Sequence, residues 1–203
     1  MKLIIVRHGE TEENVSGTLM GQSHGNLSSK GKRQIKRLAS KLKKSKIDFI
    51  YSSDLGRVVT TTKSIARFHN NAKIQYTKML RERNVGIFQG KSITEYREQL
   101  LKSNTPPAKY RPERGESHTD LHKRVNRFVS GVMKDSSYKN KTLLISTHGG
   151  VVSMFYSIFF NIPVEEAMRL YPKNCSVTVI SVGKHGKAKL LTRPITKIPK
   201  HNK

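Results

Sequence analysis

Short unbroken apolar runs alternate along the chain with stretches in which apolar residues recur every three or four positions. The runs read as buried strands and the stretches as amphipathic helices. Leu3-Ile4-Ile5-Val6 is the first run, Phe49-Ile50-Tyr51 the second, and Leu143-Leu144-Ile145 lies within a third over 142–146. Lys73–Tyr76 and the β-branched stretch 176–182 add two strands, and 189–192 a final edge strand. Over 30–43, Ile35, Leu38, Ala39 and Leu42 fall on one helical face, with Ser28 or Ser29 placed to cap it. Further helices are expected over 54–68, 93–101, 117–133 and 150–160, the last apolar on all sides. Three prolines over 103–114 predict a lid or loop. Strands separated by helices imply an α/β fold, a three-layer, doubly wound, mostly parallel sheet flanked by helices.

A chain of 203 residues suffices for one domain with a sizeable core, expected over 1–193. The tail, 194–203, carries Pro194 and Pro199 and is expected to be poorly ordered. The first apolar run is too short for a signal-peptide core, and the segment 151–160 too short for a membrane span. A single cysteine, Cys175, excludes an intramolecular disulfide framework and fits a reducing compartment. A soluble cytoplasmic protein is therefore expected.

Charge changes this picture. Lys and Arg number 39 against 14 Asp and Glu, a formal net charge of +25. Lys30, Lys32, Arg33, Lys36, Arg37, Lys41, Lys43, Lys44 and Lys46 follow one another without an acid, and 184–203 is a second acid-free basic stretch. Such a run can be no more than the solvated face of a helix. The whole-chain excess, however, creates a field that attracts phosphorylated substrates, nucleic acid or anionic lipid. Two partners are expected: a small phosphorylated substrate, and a weak, sequence-independent association with nucleic acid or another polyanion.

Two of the apolar runs each end in a His-Gly pair, Arg7-His8-Gly9 and Thr147-His148-Gly149. In an open α/β sheet ligands bind at the carboxyl ends of the strands, so the repetition suggests a two-histidine site. Arg57 falls in the first turn of a helix after the second strand, and Glu82 stands between Arg81 and Arg83 after the third. Taken singly, Arg57 reads as a surface cation and Glu82 as one member of a salt-bridge cluster.

Taken jointly they read differently. Arg7-His8-Gly9-Glu10-Thr11 with Asn14, Ser52-Ser53-Asp54-Leu55 with Arg57, Leu80-Arg81-Glu82 with Gly86 and Gly90, Gly115-Glu116-Ser117, and Thr147-His148-Gly149 come in this order. Together they resemble the histidine phosphatase superfamily, of phosphoglycerate-mutase-like fold, over residues 2 to about 182. The segment 80–91 is similar to the phosphatase branch, which includes fructose-2,6-bisphosphatase-like, α-ribazole and broad-specificity phosphatases. The resemblance implies hydrolysis of phosphate monoesters through a phosphohistidine on His8. Glu82 would give a proton to the leaving oxygen and later take one from water. Arg7 and Arg57 would clamp the phosphoryl oxygens, and guanidinium forks suit that geometry. Flanking cations favour the neutral, nucleophilic form of His8, and His148 would act as a charged donor. Asn14, Gly21 and Gly149 complete the expected substrate contacts.

The chain departs from the family pattern in places. Met20-Gly21 stands where the resemblance implies Gln-Gly, with Gln22 displaced, and Arg114 adds a cation before Gly115-Glu116-Ser117. No tryptophan is present and the 103–114 segment is short, which favours a phosphatase over a cofactor-dependent phosphoglycerate mutase, the enzymatic alternative. A polyanion-binding protein on this fold is the non-enzymatic one. His118 and His122 have zinc-compatible spacing but no partnered Glu or Cys motif, so no metal and no cofactor are expected.

Overall fold

A computed structural model describes residues 1–183 and 186–192 of the protein; the tail expected over 194–203 lies outside them. Six strands form one sheet: β1 (Lys2–Arg7), β2 (Phe49–Ser52), β3 (Lys73–Tyr76), β4 (Thr142–Thr147), β5 (Val177–Val182) and β6 (Ala188–Leu190). Their order is β3-β2-β4-β1-β5-β6. The first four are parallel, β5 runs antiparallel to β1, and β6 antiparallel to β5.

Side-chain alternation along the strands builds the three layers. Leu3, Ile5, Leu143 and Ile145 face α5 (His118–Lys134) and α6 (Gly149–Phe160). Ile4, Val6, Ile50 and Leu144 face α2 (Ser29–Leu42) and α3 (Gly56–Ala66). Central β4 is buried at every position, which is why its sequence reads as an unbroken apolar run rather than an alternation. The helix after β1 thus lies on one face and the helix after β4 on the other. The carboxyl ends of these neighbouring strands are a switch point, the place where open α/β sheets bind ligands.

Three elements differ from the sequence expectation. The second helix starts at Gly56 rather than Asp54, because the Asp54 carboxylate is taken by Arg81 at 2.6 and 2.5 Å. His24 replaces it: its Nδ1 accepts the Gly56 N–H at 3.1 Å. Two short helices were not expected, α1 (Glu12–Ser16), started by a Thr11–Asn14 capping box, and α7 (Val164–Arg169). Between β3 and α5, α4 (Ile93–Lys102) presses Tyr96 onto Phe88 and Val85 in a small cluster of its own.

Candidate active site

Parallel pairing sets Arg7 opposite Thr147, so the next residue of each strand, His8 and His148, leaves the sheet at the same edge. Their ring centroids are 5.2 Å apart and both side chains are buried. The hydrogen bonds distinguish them. His8 Nδ1 lies 2.7 Å from the Gly9 carbonyl, which can only accept, so Nδ1 carries the proton and Nε2 the lone pair. Arg57 Nε donates to that Nε2 at 3.3 Å. Burial, then Arg57 and Arg7, hold His8 well below its ordinary pKa, and it is neutral at neutral pH.

His148 Nε2 sits 2.9 Å from the Ser53 hydroxyl, and its buried Nδ1 has no partner among the described residues. A charged His148, as expected from sequence, does not fit these surroundings. Burial, followed by Arg57, His8 and Arg7, pushes it well below its ordinary value. If the Ser53 O–H donates to Nε2, the neutral ring keeps a proton on Nδ1 and remains a donor.

The two arginines are also unlike. Arg7 Nη1 donates to the Pro172 carbonyl at 2.6 Å, and its guanidinium lies 4.7 Å from the Tyr171 ring centroid. Its buried Nε has no hydrogen-bond partner among the described residues. Arg57 is held by a cage of carbonyls: Nη2 donates to Gly21 at 2.9 Å, and Nη1 to Ser23 and, at 3.3 Å, to His24. Gly21 reaches this position with φ +50°, where a side chain would also meet Val85. The expected free fork on Arg57 is therefore mostly occupied by the 21–24 loop.

Glu82 accepts the backbone N–H groups of Arg83 at 3.0 Å and of Gly150, in the first turn of α6, at 3.1 Å. Neither flanking arginine pairs with it: Arg81 holds Asp54, and Arg83 bonds the Glu116 carbonyl and stacks on Tyr96. The Glu82 loop is fastened from α5 instead. Arg124 donates to the carbonyls of Met79, Arg81 and Glu82 and is paired with the Glu116 carboxylate.

Asn14 Oδ1 accepts from the Thr11 N–H and from Asn174 Nδ2, itself 3.2 Å from the His8 carbonyl. Gly149 begins α6 beneath Tyr171, whose ring occupies the space a Cβ there would need. Met20 is buried with its sulfur near the Thr11 hydroxyl, while Gln22 donates to the Glu82 carbonyl at 3.1 Å. The displaced glutamine thus stays at the site.

All of the sequence-derived site residues come together here. Ser53, Arg124, Tyr171 and Asn174 were not assigned roles from sequence. Tyr171 is half exposed; desolvation of its hydroxyl, then the Glu82 carboxylate, pushes its pKa up to about 12. Among the described residues, no group of three or more His, Cys, Asp or Glu is placed to hold a metal ion, and no helix is long and apolar enough to cross a membrane.

A sequence profile of the histidine phosphatase superfamily (branch 1) matches residues 3–193. A probable phosphatase of Schizosaccharomyces pombe is 30% identical over 196 residues, covering 92% of this chain and 89% of the relative. A probable phosphoglycerate mutase, GpmB, of Shigella boydii is 33% identical over 185 residues, covering 88% of this chain and 83% of the relative. The crystal structure of the α-ribazole phosphatase from Shigella flexneri superposes with TM-score 0.84 at 22% identity, over 100% of both chains.

Proposed function

Because the chain belongs to branch 1 of the histidine phosphatase superfamily, we propose that it hydrolyses phosphate monoesters of small metabolites through a phosphohistidine on His8. The observation that carries this reading is the state of His8. Its neutral ring presents the Nε2 lone pair, and two nearby buried nitrogens, Arg7 Nε and His148 Nδ1, have no hydrogen-bond partner among the described residues; with Ser53 donating to His148 Nε2, both are donors. Buried polar groups rarely lack partners, and phosphoryl oxygens are the acceptors that these donors suit.

In the first step Nε2 attacks phosphorus in line and the P–O bond to the leaving group breaks. The Arg57 N–H that holds Nε2 must move to a phosphoryl oxygen, so substrate binding frees the nucleophile as it recruits the clamp. Glu82, protonated on one oxygen, delivers that proton to the leaving alkoxide. In the second step the Glu82 carboxylate takes a proton from water as the oxygen attacks phosphorus, the N–P bond breaks, and His8 returns to its neutral form. His148 Nδ1–H stabilises charge that spreads over the phosphoryl oxygens in both steps. Side-chain cations and N–H groups supply this stabilisation, so turnover is expected to persist in chelator.

The test is a panel of phosphorylated metabolites with chelator present, together with alkaline quenching to preserve the acid-labile phosphohistidine. Label should be found on His8 and disappear in His8→Ala. Substantial turnover by a folded His8→Ala protein would overturn the mechanism. A mutase is the second reading, favoured by the Shigella boydii relative. Release of inorganic phosphate in excess of 2-/3-phosphoglycerate interconversion would decide for the phosphatase, and the reverse for the mutase.

A further inference from the structure

The two faces of the sheet differ in charge as well as in cover. The α2 stripe Ile35, Leu38, Ala39 and Leu42 packs on the sheet, so the opposite arc of the helix is open. Lys32, Lys36, Arg37, Lys41 and Lys44 are exposed there, and Lys63 and Arg67 are exposed along the neighbouring α3. None of these makes an ion pair among the described residues. No Asp or Glu occurs over 29–47 or over 55–81. The opposite face is mixed: α5 carries Asp120, and α7 carries Glu165 and Glu166, among their cations.

We propose that the α2–α3 face docks double-helical nucleic acid through its phosphates, without reading sequence. The 14 residues of α2 span about 21 Å, and duplex DNA presents a negative charge roughly every 1.7 Å of its axis. About a dozen phosphate charges therefore lie along that length, and this row of cations can neutralise several of them, which exceeds what a small ester needs. A membrane surface fits less well, because the outer arc of α2 exposes only Ser, Lys and Arg and has no apolar residue to enter a bilayer. A single strand fits less well too. Phe68 is exposed beside α3 but lies against Arg67, and among the described residues this face has no row of open rings on which bases could stack. The arc faces away from the sheet, and none of its exposed cations Lys32, Lys36, Arg37 and Lys41 is among the site residues, so the small-ester site is expected to stay open when the face is covered.

The experiment is fluorescence polarisation of a short labelled DNA duplex titrated at several salt concentrations, with two variants of equal charge change. One is Lys32→Gln/Lys36→Gln/Arg37→Gln/Lys41→Gln; the control is Lys123→Gln/Arg127→Gln/Lys134→Gln/Lys139→Gln on the α5 side, where these cations are also exposed. Turnover of a small ester, expected to be unchanged in both, reports that each is folded. The salt slope should fall by about 0.9 for each phosphate that is no longer neutralised, hence by roughly 3 to 4 in the first variant and little in the control. Equal losses in the two variants would overturn the proposal, because net charge and not this face would then govern binding. So would absence of binding at low salt, equal affinity for a single strand, or capture by phosphatidylserine vesicles that the duplex cannot displace.

Discussion

The ends of β1 and β4 look alike in sequence and behave differently in the structure. Each is an apolar run closed by His-Gly, each is parallel to the other, and each delivers its histidine to the same edge. After His8 the backbone turns so that the Gly9 carbonyl takes the Nδ1 proton, leaving a lone pair on Nε2. After His148 the chain enters α6 at once, and the ring is held from the neighbouring strand end by Ser53. In the proposed mechanism one ring would attack and the other would donate. What would divide these roles is the hydrogen-bond partner of the other ring nitrogen, not burial or charge, which the two share.

The division is broken most severely by removing the rings. His8→Ala should abolish both turnover and phosphoenzyme formation. His148→Ala should slow the first step by about 100- to 1000-fold, the usual loss for a transition-state donor, yet still accumulate label on His8. Rapid-quench measurement of phosphoenzyme in both variants checks this. Loss of labelling in both to the same degree would mean that the histidines act as one unit.

Glu82 gives the next largest effect. Glu82→Gln keeps an acceptor for the Arg83 and Gly150 N–H groups but cannot supply a proton. Alkyl phosphates should slow by about 100- to 10,000-fold, and activated aryl phosphates, whose leaving groups need little protonation, far less. Steady-state rates across a leaving-group series measure the difference, and parallel losses would remove Glu82 from the proton-transfer role.

The strand-end half of this site was legible in sequence, and the half built by returning loops was not. His8, Arg57 and His148 follow directly from apolar runs and helix starts, because a parallel strand delivers its next residue to the carboxyl edge. Tyr171 and Asn174 precede β5, which is antiparallel to β1, and an antiparallel strand begins where its parallel neighbours end. Strand direction is not written in the β-branched pattern of 177–182, so the loop before it gave no sign of lying over the pocket. Arg124 was hidden for another reason. It sits between apolar positions of an amphipathic helix, and only the tertiary approach of the Glu82 loop turns a surface cation into its fastener. Asp54 misled in the opposite sense: the helix expected from position 54 begins at Gly56, and the Asp54 carboxylate is held by a bidentate arginine from further along the chain.

The shared feature of the two rings also has a thermodynamic consequence. Both pKa values are lowered in the folded state, so at acidic pH the unfolded chain binds protons that the native site does not. Stability from this source is fully present above the ordinary histidine value near 6.5 and is lost as pH falls below it. The slope should be about 1.4 kcal/mol per pH unit for each such histidine. His118, lowered to about 3 by burial and Arg83, adds a further contribution. Denaturant midpoints should fall accordingly between pH 7 and 5, and His8→Gln or His148→Gln should each flatten that pH dependence by a similar amount. A flat profile in the native protein would show that the rings protonate in place.

The smallest effect tests the comparison most directly. Among the described residues the Ser53 hydroxyl meets only Nε2 of His148 and, at 3.4 Å, the Leu55 N–H, with no hydrogen bond to His8. Ser53→Ala removes the donor to Nε2, so the neutral ring can move its proton from Nδ1 to Nε2 and lose its hydrogen bond to substrate oxygens. A net hydrogen bond of about 1 kcal/mol corresponds to a loss of roughly fivefold in kcat. Because the change is one of tautomer rather than fold, KM for small esters should barely move, and Ser53→Thr should restore the rate. The nitrogen-15 chemical shifts of His148 report the tautomer independently of turnover. In the native protein they should show a protonated Nδ1, and in Ser53→Ala a mixture. A protonated Nε2 in the native protein would reverse the assignment and make Ser53 the acceptor, leaving the buried Nδ1 as a lone pair that phosphoryl oxygens would repel.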